Sequence, residues 1–544
     1  RSKTNKNIGV PMFKVKLASV CLVAAVAATF SGASFAETFK WASQGDILTF
    51  DPHAQNEGLN SAANSYVYET LVNLGKNSEI IPCLAESWSK EPGGFLFKIR
   101  PNVKFHEGQI LSPEDVVFSI KRALHPLSQF RTYTAGILDA EVRPDGHVFI
   151  KTSTQSPVIL NQLTHLRILN KKWAEEHNVV NPQNYVEKEE SYAARNVNGT
   201  GPFKLKSREV DVKTVFVENP DWWNKANKIG NVTEAIYTPI KSAATRTAAL
   251  LSGQVDFVLD LAPQDAQRLK RNDKVKLVEG PELRVLMISL DQYRDKSPYV
   301  RVDGKATDKN PFKDERVRKA LYQAIDIQTL KRTVMRGSAI PTGSIIPPNV
   351  AGWTPEQDAR HPYDVAAAKK LLAEAGYPNG FEFTLDTPNN RWVNDEAIAK
   401  ALAGMWAKIG VKVNVNAMPR ANYFPKVLSF DTSAGMVGWG CSTQDALFSI
   451  QSLVSTFDTK KGNGLSNIGR VSDPEIDLLV EKIKVESDPK VRNADIAKAL
   501  KIISDKVYEL PLHTQLITWG MGKNIDAEIR SDNRLEIDKV KVNK

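Results

Sequence analysis

Hydrophobic positions in this chain alternate between two spacings, and glycines punctuate the changes. After the turn Pro92-Gly93-Gly94, the residues Phe95, Phe97 and Ile99 fall to one side of an extended run, which predicts a strand. Ser112 then stands as an N-cap and Pro113 fills a first helical position. Val116, Val117, Ile120 and Leu124 make one apolar helix face. Three later units repeat a helix-glycine-strand order. Ser242 to Ser252 reads as a helix closed by Gly253, with a strand over Val255 to Val258. Asp364 caps Val365 to Ala375, Gly376 closes it, and Phe381 to Leu385 follows as a strand. Asn394 caps a helix through Lys408, Gly410 ends it, and Val411, Val413 and Val415 alternate along a strand. Arg284 to Leu290 is also strand-like. The alternation of both periods without repeats or a long linker predicts an α/β or mixed α+β fold.

The amino-terminal region follows a different pattern. Lys14 and Lys16 precede an apolar run from Leu17 to Phe30, closed by Ser34-Phe35-Ala36. That order is a secretory signal with cleavage expected after Ala36, and residues 1–11 read as an extension upstream of Met12. The run is short for a membrane span. The expected mature chain, 37–544, is long enough for two domains with separate cores.

Charge and chemistry narrow the function. The formal charge of +10 includes five Lys or Arg from residues 1–36, where no acid occurs, and basic pairs elsewhere are mixed with acids. A solvated surface fits this better than a nucleic-acid site. No G-x-S-x-G, H-E-x-x-H or G-x-x-x-x-G-K-[ST] pattern occurs, and the eight histidines lack ligand spacing. No catalytic set, metal site or cofactor is therefore expected. Cys83 and Cys441, far apart in sequence, are expected as free thiols.

Residues 84–124, LAESWSKEPGGFLFKIRPNVKFHEGQILSPEDVVFSIKRAL, resemble the signature of the family 5 extracellular solute-binding proteins, receptors of ABC importers for dipeptides, oligopeptides and nickel. Segments 199–258, 311–337 and 363–381 resemble further family blocks in the same order, among them GTGPFKL, NPDWW, LLSGQVD and PFKDERVRKALYQAID. The resemblance implies a two-lobed periplasmic binding protein of type II, cluster C. Lobe I would hold 37–283, with a subdomain over about 72–198 and a returning tail 512–544. Lobe II would hold 284–511. It implies a monomer in the periplasm that binds a short peptide or peptide-like solute and delivers it to a permease and its ATPase subunits. A non-peptide solute (an opine, a sugar conjugate or a nickel chelate) and a secreted peptide hydrolase stay as alternatives.

For the site, the resemblance points to Gly438-Trp439-Gly440-Cys441-Ser442-Thr443-Gln444-Asp445. In peptide-binding relatives the matching segment places a tryptophan along the ligand and an aspartate on its amino terminus. Here Ser442 takes the aspartate's place and Asp445 the next acidic position, an order similar to glutathione-binding members. Trp439, Gly440, Ser442, Thr443 and Asp445 are therefore the expected ligand contacts. The flanking glycines suggest close backbone approach to a ligand, and Asp445 is expected to hold an ammonium. Arg391 matches an arginine that forks onto a ligand carboxylate in dipeptide receptors. The loop His53 to Asn60 is expected at the cleft mouth.

Overall fold

A computed structural model describes residues 37–75, 79–153, 158–348 and 350–544; the expected leader, 1–36, lies outside them. The hairpin forms as its pattern requires. Strands Ala85–Glu91 and Gly94–Ile99 pair antiparallel, with Gly93 in the left-handed turn region at φ +84°. Phe95 and Phe97 point into the core. With Ile137–Val142 and Val148–Thr152 they make a four-stranded sheet. Helix Pro113–Ala123 packs on it, its start fixed by a reciprocal pair: Asp115 N–H donates to Ser112 Oγ, and Ser112 N–H to Asp115 Oδ2.

The helix-glycine-strand units form with small shifts. Helix Ala243–Ser252 is capped by Ser242 and closed by Gly253 at φ +75°, but its strand covers only Phe257–Val258. Helix Val365–Glu374 is capped by Asp364, and its strand runs Glu382–Pro388. Helix Asp395–Ala407 corrects the expected cap. Asn394 sits at φ +57° and makes no side-chain cap bond; its Nδ2 donates to Val334 O at 2.9 Å instead. Asp395 takes the local N–H groups, accepting from Arg391 N and Trp392 N at 3.0 Å each.

Among the described residues the largest sheet has thirteen strands. Its centre is a long antiparallel pair, Val275–Leu290 with Glu509–Gly522. The pair joins strands Glu37–Ser43 and Val232–Pro239 on one side to Ala434–Gly440 and Glu382–Pro388 on the other. Its core stretch, Val285 to Ile288, is fully buried. The ladder breaks between Pro281 and Val285, and that break presents Glu282 and Arg284 to a cavity. No described helix is long and apolar enough to cross a membrane. Cys83 and Cys441 are free and buried.

Family-like motifs elsewhere serve the fold. A side chain at Gly199 would strike Val67 O at 1.9 Å, so the GTG segment permits close chain packing. Trp222 and Trp223 both donate Nε1–H to the buried carboxyl of Glu69. His106 is held by Gly201 O at 3.1 Å.

Candidate functional site

A cavity of about 140 Å³ lies against the break in the central strand pair. Its walls come from segments far apart in sequence: the loop at Glu57, the turn Gln129–Thr134, the residues His165 and Arg167, strand Ala434–Gly440, helix Ala446–Leu453 and the tail at Asp532 and Arg534.

Aromatic rings cross the cavity wall as a column. His165 stacks on Tyr133 at 4.4 Å and 19°, and Tyr133 on Phe448 at 4.9 Å and 25°. Phe448 in turn meets Trp439 at 4.9 Å and 31°. These spacings suit offset stacking. Trp439 is 8% exposed, faces the cavity, and its Nε1 has no hydrogen-bond partner. Ser442 also faces the cavity, and its Oγ lies 3.0 Å from the Tyr133 hydroxyl, which also donates to Asn56 Oδ1 at 3.2 Å. Further contacts tie the same regions: Thr132 Oγ1 to Ser452 Oγ at 2.6 Å, and Arg131 to Lys460 O.

The glycines around Trp439 lie against protein groups. A side chain at Gly438 would collide with Trp392 Nε1 at 2.3 Å, and one at Gly440 would meet Arg284 Nη2 at 3.3 Å. Gly440 also faces the cavity.

Two expected contacts lie outside the cavity wall in this structure. Asp445 caps helix Ala446–Leu453, accepting from Leu447 N at 3.0 Å, and both its oxygens hold Arg492 at 2.6 and 2.8 Å. Arg492 meets its charge, and Asp445 stands outside the cavity wall. Thr443 is buried and also lies outside the wall. An aspartate directly before an apolar helix is a cap signal that the sequence carried; the partner Arg492 was not readable from it.

Arg391 faces the cavity, but its Nε is ion-paired with Glu57 Oε1. Arg420 takes the other oxygen of Glu57. Glu57 also caps helix Gly58–Val67, accepting from Leu59 N at 3.2 Å and Asn60 N at 2.9 Å. Burial opposes its charge, but Arg391 and then Arg420 outweigh burial and hold its carboxyl down at about 2. Glu57 lies in the loop expected at the cleft mouth; Arg420, 363 positions away, was not foreseen. Tyr133, His165, Arg167, Phe448 and Arg534 were also missed, because each is an isolated residue in an ordinary segment.

The comparisons with known proteins give this geometry its context. Residues 79–461 match the family described as bacterial extracellular solute-binding proteins, family 5 Middle. The chain belongs to that family. Family 5 proteins bind peptides or small solutes in the periplasm and deliver them to an ABC permease; they are binding proteins. The chain is 28% identical over 491 residues to heme-binding protein A of Haemophilus influenzae, covering 84% of this chain and 83% of that one. It is 25% identical over 490 residues to glutathione-binding protein GsiB of Salmonella typhimurium, covering 88% and 89%. In structure it resembles the periplasmic binding protein DppA from Helicobacter pylori in complex with peptide STSA, with TM-score 0.81 and 24% identity, covering 94% of this chain and 99% of that one. That likeness shows the two-lobed fold of family 5 periplasmic binding proteins.

Proposed function

We propose that this family 5 protein captures a short peptide-like solute of the glutathione class and hands it, as a monomer, to an ABC permease. Lobes 37–283 with 512–544 and 284–511 would meet across the cavity, hinged on the central strand pair. The contacts from Glu57, Thr132 and Tyr133 to Arg391, Ser452 and Ser442 would then join the lobes in a closed form. Removal of 1–36 would release the mature protein.

One observation carries the ligand class: each carboxylate facing the cavity among the described residues already holds an arginine. Glu57 holds Arg391 and Arg420, Glu282 holds Arg284 at 2.6 Å, and Asp532 holds Arg530 at 2.8 Å. A ligand ammonium, which glutathione and a plain peptide both carry, finds no spare carboxylate of the kind the peptide-binding pattern supplies, so the second carboxylate of glutathione is what sets it apart. The stacked rings, the Ser442 hydroxyl and the Trp439 N–H favour a solute held by its amide planes and its acids. The relative named for glutathione binding fits that chemistry.

Calorimetry with glutathione, trialanine and haemin tests the reading, together with native mass spectrometry of protein purified from periplasm. Glutathione is expected to bind at least roughly tenfold more tightly than trialanine and to be recovered unchanged, without turnover. Equal binding of trialanine, preference for haemin, or a co-purified opine or metal chelate would overturn it.

A further inference from the structure

The cavity's charges do not balance, and the surplus has a location. Arg284 is neutralised by Glu282, and Arg391 by Glu57. Arg167 and Arg534 also line the cavity, and neither makes an ion pair among the described residues.

Arg167 is 2% exposed. Its Nη2 donates to Ser61 O at 2.6 Å and its Nη1 to His165 O at 3.4 Å, so its partners are neutral carbonyls. Burial and then the field of Arg534 lower its guanidinium to about 9, far below the ordinary arginine value. Arg534 reaches the cavity from the tail that follows strand Glu509–Gly522. Its Nε is buried without a hydrogen-bond partner.

Asp532, Glu536 and Asp538 lie within the field of Arg534, and its backbone N–H donates to Asp532 Oδ1 at 3.3 Å, but among the described residues none of them ion-pairs its guanidinium. Both oxygens of Asp532 hold Arg530, at 3.0 and 2.8 Å. Glu536 holds Arg530 at 3.3 Å and Lys539 at 2.7 Å. Asp538 is half-buried, and desolvation foremost raises its carboxyl. His165 adds no charge: burial, then Arg534 and Arg167, keep its imidazole neutral down to about 3. Its Nε2 is also buried without a partner.

A buried guanidinium repelled by a half-buried one at the cavity wall is costly without an anion between them. A guanidinium presents a planar fork that suits a carboxylate in two parallel bonds. We propose that Arg167 and Arg534 form a carboxylate-binding subsite beside the aromatic column, which selects solutes carrying an acid at that end. The neutral His165 would complete it as a hydrogen-bonding wall. This deepens the solute-capture reading and rests on it for the ligand, though not for the anion.

The test has two arms. Calorimetry compares glutathione with its glycyl monoethyl ester, and trialanine with trialanine amide, on wild type, Arg534→Gln and Arg534→Lys. Wild type is expected to prefer the free acid of at least one pair by roughly tenfold or more. Arg534→Gln should bring that preference below about threefold, and Arg534→Lys should restore part of it. The second arm uses sodium sulfate on the solute-free protein. Its thermal midpoint should rise more in sulfate than in sodium chloride of equal ionic strength, and Arg534→Gln should lose that difference. If no tripeptide binds wild type, the solute reading fails while the sulfate arm still judges the subsite. A full preference for the acid together with a full sulfate shift in Arg534→Gln would overturn the proposal. Arg167→Gln is a weaker probe, because Arg167 also holds the Ser61 carbonyl.

Discussion

The cavity carries two arginine clusters built on opposite terms. At Glu57, one buried carboxylate is shared by Arg391 and Arg420, with two backbone N–H groups filling its remaining capacity. At Arg167 and Arg534, two guanidiniums share a field, and among the described residues no carboxylate ion-pairs either of them. The same residue type therefore has different consequences. A neutralised arginine clasps parts of the protein together, whereas an unneutralised one is poised to take charge from a ligand. The sequence pointed to the first cluster, through Arg391, as the ligand's anchor. Its internal partner shifts that expectation to the second.

The largest expected effect breaks the clasp. Glu57→Gln leaves Arg391 and Arg420 buried without a counter-charge and should cost about 3–5 kcal/mol of stability at neutral pH. Chemical denaturation measures it, and a loss below about 1 kcal/mol would show that water can replace the carboxylate.

A second variant separates fold from site. Asp445→Asn weakens the pair with Arg492 and should cost about 3 kcal/mol, with solute affinity in calorimetry changed less than about twofold. A loss of affinity with stability intact would return Asp445 to the site.

Acid titration sharpens the contrast, because the two clusters lose stability in different windows. Glu57 has a folded value near 2, below its ordinary 4.5, so its contribution is full above 4.5 and lost as pH falls toward 2. His165 has a folded value near 3, below its ordinary 6.5, so its contribution is full above 6.5 and lost as pH falls toward 3. Denaturation midpoints across pH should show His165→Asn flattening the upper window and Glu57→Gln the lower. The reverse assignment would refute the charge pattern.

The smallest effect is at Ser442. Ser442→Ala removes one neutral hydrogen bond to Tyr133, and its loss should cost about 1 kcal/mol in stability or solute affinity. A loss several times larger in affinity alone would make the hydroxyl a direct anchor for solute.

Much of the fold was legible because its signals are local. Alternation placed Phe95 and Phe97 inward, Ser112 and Asp364 capped their helices, and Gly253 closed one in the left-handed region. Asn394 failed as a cap because it sits in the left-handed region with its amide donating to Val334 O, while Asp395, one residue on, takes the Glu396 N–H. Trp439 and Ser442, expected from the family segment, face the cavity. The groups beside the glycines flanking Trp439, Trp392 and Arg284, were not legible, since they arrive from distant segments.

By itself the sequence determined the elements, their order and the family blocks, because backbone sterics, capping and hydrophobic period act over a few residues. Only the tertiary structure decided which charge meets which. Arg391 found Glu57, Asp445 found Arg492, and the guanidiniums of Arg167 and Arg534 form no ion pair among the described residues. An ion pair acts over a few ångströms of space between residues that here stand up to 363 positions apart, so no local pattern could record it.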